Sequence, residues 1–132
     1  MPYLRPPLVV RRFANPIAMR LGIGGSERLT VTRRRSRTEQ SIPVIPVTVD
    51  GTVHLVCPRG ETDWVKNLRA TPACALGRHG RQRPYVAAEV PLEERGPIIV
   101  AYRAKAGRAV KSLFDALPDD RDHPVFRLTP SG

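Results

Sequence analysis

The chain has 132 residues, 41% of them hydrophobic, so it is long enough to fold as one domain around a core and is not disordered by composition. Its 22 basic and 12 acidic residues give a net charge of +10, which indicates an anionic partner: nucleic acid, an acidic membrane surface, or a phosphorylated or carboxylated small molecule. Its 14 prolines break the chain into short elements and argue against a helical bundle.

Residues 1–27 are predicted to form an N-terminal arm followed by an amphipathic helix. The helix covers residues 8–21, where apolar side chains recur at near-helical spacing and arginines lie off that face. We favour a helix that packs over the core. The alternative is a peripheral contact of residues 8–21 with an anionic membrane. Gly22, Gly24 and Gly25 then break the helix, and residues 28–132 form the rest of the single domain.

A basic turn follows the first predicted strand, Leu29–Thr32, and precedes a second β-type run, Ile42–Val49. Backbone N–H groups in such a turn can form a concave anion site, and arginine side chains can add bidentate, charge-assisted hydrogen bonds. The turn therefore predicts a site for a phosphate-bearing ligand, with a solvated basic hairpin as the alternative. Its four arginines are Arg33, Arg34, Arg35 and Arg37.

The run Ile42–Val49 contains Pro43 and Pro46, and proline cannot donate to a strand ladder. We therefore expect this strand at a sheet edge, at a bulge, or with its prolines facing away from the neighbouring strand. Asp50–Gly51 is a strong hairpin signal, and residues 52–57 are the predicted partner strand. His54, inside that strand, is expected to be structural.

The next segments predict a short helix and another hairpin. Thr62 or Asp63 would cap a helix over residues 64–70. Residues 73–76 and 82–90 then pair through a turn that includes Gly77 and Gly80. Basic side chains decorate that turn and form a second basic patch: Arg78, His79, Arg81 and Arg83.

The last third of the chain predicts helices and a closing strand. Proline and two acids at residues 91–95 open a helix that continues loosely to Ala106. Gly107 interrupts it, residues 109–117 form a last short helix, and residues 124–128 alternate as a strand. Antiparallel hairpins dominate, so we predict a mainly β fold with helices (α+β), built as a small β-barrel with helical decoration.

Cys57 and Cys74 have neither CxxC nor zinc spacing, so we expect two buried free thiols, a reducing cytoplasmic setting and no metal site. No apolar run approaches the roughly 20 residues that span a membrane. Arg11 and Arg12 interrupt the N-terminal apolar segment, which argues against a signal peptide.

The order of these segments resembles the deazaflavin-dependent nitroreductase family of actinobacteria, split β-barrel oxidoreductases with an FMN-binding-like fold that use coenzyme F420. The resemblance covers about residues 8–130. Its most specific part is the run Asp-Trp-Val-Lys-Asn-Leu-Arg-Ala at residues 63–70, after the glycine loop at Gly60. The other matching segments are Leu29–Thr32, Arg34–Ser36, Pro43–Val44, Asp50–Gly51, Pro72, Pro91–Arg95 and Pro124–Phe126.

The resemblance implies an enzyme that passes hydride from reduced coenzyme F420 to a quinone, nitroaromatic or enone-type acceptor. FMN or FAD is less favoured as the cofactor, and a homodimer is the expected assembly. The implied cofactor-binding residues are Arg33, Arg34, Arg35, Ser36, Arg37, Pro43, Val44, Arg59, Gly60, Trp64 and Asn67. The candidate proton donors are Tyr85 and Tyr102.

The basic turn departs from the family pattern. Arg33 and Arg37 stand where the family usually has glycine, and Gln40 stands where a later arginine is usual. Because an arginine disfavours the positive φ that glycine adopts, we expect a reshaped turn with weaker coenzyme binding. This keeps open a non-catalytic binding protein on the same barrel, carrying the coenzyme, a flavin, haem or a fatty acid. A nucleic-acid binder ranks last, because aromatic residues are only 5% of the chain and no nucleic-acid motif is present.

Overall fold

The computed structural model describes residues 25–78 and 80–131. Within these residues the chain forms seven strands and three α-helices. The strands are β1 (Glu27–Thr32), β2 (Glu39–Val44), β3 (Val47–Val49), β4 (Thr52–Val56), β5 (Ala73–Arg78), β6 (Arg81–Glu89) and β7 (Val125–Pro130). The helices are α1 (Asp63–Ala70), α2 (Arg95–Ala106) and α3 (Arg108–Ala116), with 3-10 turns at Leu92–Glu94 and Asp120–Asp122. The predicted N-terminal helix over residues 8–21 lies outside the described residues.

The strands pair into one antiparallel sheet in the order β2-β1-β5-β6-β7-β4-β3. The sheet curls into a half-barrel whose edges are β2 and β3. Three hairpins supply β1–β2, β3–β4 and β5–β6, and long-range pairings supply the remaining contacts between strands. This confirms the predicted mainly β fold with helices (α+β). None of the helices in the described part of the chain is long and apolar enough to cross a membrane.

The single strand predicted over Ile42–Val49 is wrong, because it is two strands at opposite edges of the sheet. β2 ends at Val44, the pair Ile45–Pro46 crosses over, and β3 begins at Val47. Pro46 has no N–H to donate, so the ladder cannot continue through it. The predicted edge position is confirmed for both pieces. The Asp50–Gly51 turn is also confirmed, with φ of 52° and 77° at these two residues, as a type I′ hairpin requires.

The concave face of the half-barrel holds one of two apolar clusters. Side chains that alternate along β1, β4, β5, β6 and β7 point into it, and α1 closes it with Val65 and Leu68, both 1% exposed or less. Phe126 lies at its centre, with Trp64 of α1 at a ring-centroid distance of 6.2 Å. Cys57 and Cys74 are free and buried in this cluster, as predicted. Helix α1 is therefore the element that fills the half-barrel.

The convex face near β3, β4 and β7 holds the second cluster. Helices α2 and α3 cover it with five buried side chains, and neighbouring strand residues such as Leu55 and Val56 point to opposite clusters. The buried helix residues are Ile98, Ile99, Tyr102, Val110 and Phe114. The two predicted C-terminal helices are confirmed, the first preceded by a 3-10 turn at Leu92–Glu94.

A cluster of charged side chains ties α1 to β6 and α2. Arg69 makes bidentate contacts with Glu61, at 2.5 and 2.9 Å, and with Glu89, at 2.8 Å for both bonds. Arg95 approaches Glu89 at 3.4 Å and donates to the Val90 carbonyl at 3.0 Å. Hydrogen bonds from Arg69 hold the pKa of the Glu61 carboxyl below its usual range. The position of α1 in the half-barrel therefore depends on charge as well as on apolar contact.

Replacing Arg69 by methionine leaves two carboxylates facing each other without their cation. We expect R69M to lower the free energy of unfolding by about 2 kcal/mol at pH 7, less than for a fully buried pair because Arg69 is half-exposed. The contribution of Glu61 is complete above the pKa of an unfolded glutamate, about 4.3, and is lost as the pH falls through the lower folded pKa. Urea denaturation at pH 7 and pH 3 should show the difference shrinking at low pH. Lys66→Met on the same helix is the control, and an equal loss in it would contradict the assignment.

Candidate functional site

The basic turn between β1 and β2 closes through two backbone hydrogen bonds. The Arg33 N–H donates to the Thr38 carbonyl at 2.8 Å, and the Arg37 N–H donates to the Arg33 carbonyl at 3.1 Å. The Arg33 guanidinium also donates to the Thr38 hydroxyl at 3.0 Å and to the Glu39 carbonyl. Ser36 and Thr38 hydroxyls lie 2.7 Å apart. The turn is therefore a defined structure held by its own polar groups.

Arg37 adopts the left-handed backbone conformation, which an arginine disfavours and which was expected to be lost when arginine replaces glycine. Its φ is 65°, whereas Arg33 is not among the described residues with positive φ. The Arg37 guanidinium donates to the Thr71 hydroxyl at 3.1 Å, which compensates part of the cost of that backbone conformation. The left-handed position of the turn is thus kept at Arg37, and Arg33 needs no glycine-like conformation.

Asn67 of α1 joins the turn to the helix. Its Oδ1 accepts the Arg34 backbone N–H at 3.1 Å and the Arg34 Nη1 at 2.7 Å. Its Nδ2 donates to Gln40 Oε1 at 2.9 Å, which fixes the orientation of the amide. Asn67 is 3% exposed, so these bonds are shielded from water. Gln40 therefore orients the side chain that holds Arg34.

Four of the six backbone N–H groups in the turn, those of residues 33, 34, 37 and 38, are bonded inside the protein. The N–H groups of Arg35 and Ser36, at the tip, have no partner among the described residues. The Arg35 guanidinium likewise has none there. Two free N–H groups beside an uncommitted guanidinium are donors suited to one phosphate or carboxylate group.

The turn and the start of α1 line an open pocket of about 220 Å³. Asp63 stands on its rim, with Oδ1 3.7 Å from Arg34 Nη2. The Asp63 side chain is 69% exposed, so water screens its charge and the pocket keeps a net positive lining. The lining residues are Arg33, Arg34, Arg35, Ser36, Gln40, Asp63 and Asn67.

Five of the eleven predicted cofactor-binding residues line this pocket: Arg33, Arg34, Arg35, Ser36 and Asn67. Arg37 belongs to the same turn but points to Thr71. Trp64 lies one turn before Asn67 and packs against the barrel cluster. Its contact with a cofactor ring stays a prediction.

The other predicted residues lie away from the pocket lining. Arg59 and Gly60 belong to the loop between β4 and α1, where Gly60 has a φ of 90°. Pro43 and Val44 are at the far end of β2, paired with Arg28 and Glu27. Pro43 and Val44 are far from the turn because β2 runs away from it. Arg59 and Gly60 are not among the residues that line the pocket.

Neither candidate proton donor lines the pocket. Tyr85 is 7% exposed within the barrel cluster. Tyr102 is 3% exposed in the cluster on the opposite face of the sheet, and burial raises the pKa of its hydroxyl. Tyr102 therefore lies on the other face of the sheet from the pocket, and proton donation by either tyrosine stays a prediction.

The sequence interpretation missed three contributors to the site. The sequence predicts Gln40 only as a replaced arginine, Asp63 as a helix cap and the start of the 63–70 run, and Thr71 only as part of the end of that helix. The cap is Thr62, without a side-chain hydrogen bond, and α1 begins at Asp63. The helical spacing of Asp63 and Asn67 was the available signal for placing both on the face toward the turn.

The sequence matches the family model described as F420H(2)-dependent quinone reductase over residues 8–114. The chain belongs to this family. The family's cofactor is coenzyme F420, which confirms the predicted deazaflavin family and cofactor. No curated protein sequence matches this chain.

Solved structures share the fold. One described as a domain-swapped dimer is 21% identical, with a TM-score of 0.56, covering 92% of this chain and 97% of its own. A structure described as an F420 reductase is 13% identical, with a TM-score of 0.59, covering 81% and 86%. HutZ, the heme storage protein from Vibrio cholerae, is 14% identical, with a TM-score of 0.58, covering 89% of each chain. At these identities the likeness shows the fold alone, and it confirms the predicted split β-barrel.

The link from Asn67 to Arg34 can be tested by stability. We expect Asn67→Ala to lower the free energy of unfolding by about 2 kcal/mol, because it leaves the Arg34 N–H and Gln40 without their buried partner. Asn67→Asp keeps an oxygen that accepts from Arg34 and should lose less. Urea denaturation measures both, and an alanine variant as stable as the native protein would contradict the assignment.

The backbone at residue 37 can be tested by a paired substitution. Arg37→Gly and Arg37→Ala both remove the bond to Thr71 and differ only in the Cβ atom. Because alanine disfavours positive φ, we expect the glycine variant to be more stable by about 1 kcal/mol. Thermal or urea unfolding measures the difference. If alanine proves equal or better, residue 37 does not adopt the left-handed conformation in solution.

Proposed function

We propose that this protein is an oxidoreductase that binds reduced coenzyme F420 at the β1–β2 turn and transfers hydride to a quinone-type acceptor. The observation that carries the proposal is the tip of the turn, where the Arg35 and Ser36 N–H groups and the Arg35 guanidinium have no partner within residues 25–78 and 80–131. Membership of the F420H(2)-dependent quinone reductase family supports it. Nitroaromatics and activated enones are electrophiles of the same kind, and we propose them as further acceptors.

The donor set of the pocket fits the anionic part of such a coenzyme. A phosphate or carboxylate accepts several hydrogen bonds, and the pocket offers two backbone N–H groups and the arginine side chains at its rim. Asn67 orients the Arg34 guanidinium through Nη1, and Arg34 Nη2 lies 3.7 Å from Asp63 Oδ1 at the rim. The turn therefore needs little rearrangement on binding, which lowers the entropic cost.

When bound, a reduced deazaflavin supplies the hydride, and the protein supplies binding and orientation. Asn67 and Gln40 fix Arg34, and Arg34 and Arg35 fix the anionic group of the cofactor. The apolar side chains of the half-barrel beside Trp64 would exclude water from the ring. Because both candidate tyrosines lie elsewhere, we propose that the acceptor takes its proton from solvent.

A binding protein without turnover is the second candidate. It is favoured by the four N–H groups that the turn already uses internally and by the exposed Asp63 carboxylate on the rim, both of which lower anion affinity. A structural neighbour described as a heme storage protein has the same fold, which supports this alternative. Flavin and fatty-acid carriers belong to the same alternative.

The two candidates are separated by titration and turnover. We expect purified protein to bind the coenzyme with micromolar affinity, read from coenzyme fluorescence or Trp64 quenching, and to oxidise the reduced form when menadione is added. Binding without oxidation would favour the carrier. We also propose a cytoplasmic location and a homodimer, for which the domain-swapped neighbour is the support.

Arg35 gives the sharpest test of the anion site. Arg35→Ala should weaken coenzyme binding about 10- to 100-fold, because a hydrogen bond to a charged group contributes about 1.5–3 kcal/mol. Arg108→Ala, an exposed arginine on α3, removes the same charge far from the turn and is the matched control. Equal affinity in the two variants would place the anionic group elsewhere.

A further inference from the structure

His123, in the connection between α3 and β7, is buried with both ring nitrogens facing backbone carbonyls. Its Nε2 lies 2.6 Å from the Leu117 oxygen, and its Nδ1 lies 3.1 Å from the Cys57 oxygen. A carbonyl oxygen only accepts hydrogen bonds, whereas a neutral imidazole has one N–H and one bare nitrogen. We infer that the fold holds His123 as an imidazolium, which forms a pH-sensitive lock between the end of α3 and the end of β4. This lock does not involve the proposed coenzyme site.

A neutral His123 would place a lone pair against an oxygen in either tautomer. With the proton on Nε2, the bare Nδ1 would face the Cys57 oxygen at 3.1 Å. With the proton on Nδ1, the bare Nε2 would face the Leu117 oxygen at 2.6 Å. The ring is 0% exposed, so bulk water does not relieve the repulsion. Only the doubly protonated ring makes both contacts attractive.

Two further features of α3 favour the cation. Leu117 directly follows the last residue of α3, so its carbonyl lies at the negative end of the helix dipole. The Phe114 ring stacks on the imidazole, with centroids 4.1 Å apart and an interplanar angle of 25°. A cation over an aromatic face is attracted by the ring quadrupole. The end of α3 therefore offers His123 a carbonyl oxygen and an aromatic face at once.

The turn that carries His123 is acidic. Asp120 and Asp122 precede it and are half-buried, and their carboxylates favour a positive charge nearby. Asp119 pairs with Arg121 at 3.1 Å, so these two charges largely offset each other. The local sequence therefore supplies a negative charge to a buried site that needs one.

The cations near His123 come from α2 and from the loop after β4. Arg95 Nη1 lies 3.4 Å from the His123 backbone carbonyl, and the Arg103 guanidinium lies 4.6 Å from the centroid of the Phe114 ring. Arg59 follows β4 in the loop that begins at Cys57. All of them oppose a further positive charge. Coulomb energy falls with distance, however, and the atoms that contact the ring nitrogens are carbonyl oxygens.

Two other ionisable side chains near the lock are neutral at ordinary pH. Burial raises the pKa of the Cys57 thiol to about 11. Burial also raises the pKa of the Tyr102 hydroxyl, whose ring centroid lies 6.2 Å from that of Phe114. Neither group therefore supplies a negative charge to His123 near neutral pH, and the carbonyl contacts decide its protonation.

The lock joins segments that are far apart in sequence. The Cys57 N–H donates to the Pro124 carbonyl at 2.9 Å, while the Cys57 carbonyl faces His123. The same imidazole reaches Leu117, so one side chain links α3, the end of β4 and the start of β7. Loss of one ring proton would remove one of these two hydrogen bonds and leave a lone pair facing an oxygen. The end of α3 would then be held less firmly on the convex face.

His54 provides a natural contrast within the same chain. It is 3% exposed, but only its Nδ1 has a partner among the described residues, the Thr52 carbonyl at 2.9 Å. Burial lowers the pKa of the His54 imidazole. A neutral ring with its proton on Nδ1 satisfies this arrangement. The two buried histidines are therefore expected to differ by one proton.

NMR of the full chain, which has three histidines, counts the ring protons directly. In ring nitrogen–proton spectra at pH 7.5, we expect both nitrogens of His123 to carry a proton and His54 to carry one proton only. The variants H54Q and H79Q identify the other two signals. A single ring proton on His123 at this pH would overturn the inference, and the native chain alone decides it.

Urea denaturation of H123Q at pH 6 and pH 9 tests the lock. A histidine that the fold holds as a cation adds stability below about pH 6.5, where an unfolded histidine is charged. That stability is lost as the pH rises and the folded group gives up its proton. We expect H123Q to raise the unfolding constant, relative to the native chain, by a factor roughly tenfold larger at pH 6 than at pH 9.

H54Q is the matched control, since it replaces a buried histidine that the fold holds neutral. Its effect on the unfolding constant should change in the opposite direction, being larger at pH 9 than at pH 6. An H123Q effect that is equal at the two pH values, or larger at pH 9, would contradict the lock. If H123Q does not fold, the proton count of the native chain still gives the answer.

Discussion

A curled sheet exposes an apolar concave face, and the fold depends on covering it. Helix α1 does this with Val65 and Leu68, and the same eight-residue helix carries Asn67 toward the β1–β2 turn. The burial that stabilises the barrel therefore also positions the side chain that orients Arg34. A shift of α1 would change both together. The charged cluster of Arg69, Glu61 and Glu89 limits that shift from the other side of the helix.

Position 40 illustrates how a site can be rebuilt with different chemistry. An arginine there would add a charge to the pocket, whereas Gln40 accepts a hydrogen bond from Asn67. Charge at the site is instead concentrated at the tip, on Arg34 and Arg35. Arg37 retains the backbone conformation of a glycine and uses its side chain to hold the segment after α1. In this chain the turn keeps a left-handed residue at Arg37 and leaves the Arg35 and Ser36 N–H groups without a partner among the described residues.

Local chemistry made much of this predictable from sequence. The Asp50–Gly51 pair is enough to predict a hairpin, and the spacing within residues 63–70 is enough to predict a helix. The four arginines of the turn predict an anion site by their charge. The break at Ile45–Pro46 was not predictable, because a proline in an edge strand and a proline between two strands have the same local pattern. The bond between Asn67 and Gln40 depends on two segments brought together by the sheet. The location of Tyr102 depends on which face α2 covers, and its helical period does not specify that face.

The crossing at Ile45–Pro46 joins the two edge strands of one sheet in a single step. The Lys105 ammonium of α2 donates to the Pro46 carbonyl and holds the crossing against the convex face. Strand edges are where sheets of different molecules add to one another and aggregate. Here the edges are covalently tethered by two residues, and β2 carries a proline that cannot extend a ladder. The connection therefore keeps the ends of the two edge strands within two residues of each other, and Pro43 leaves β2 with one backbone donor fewer for a further strand.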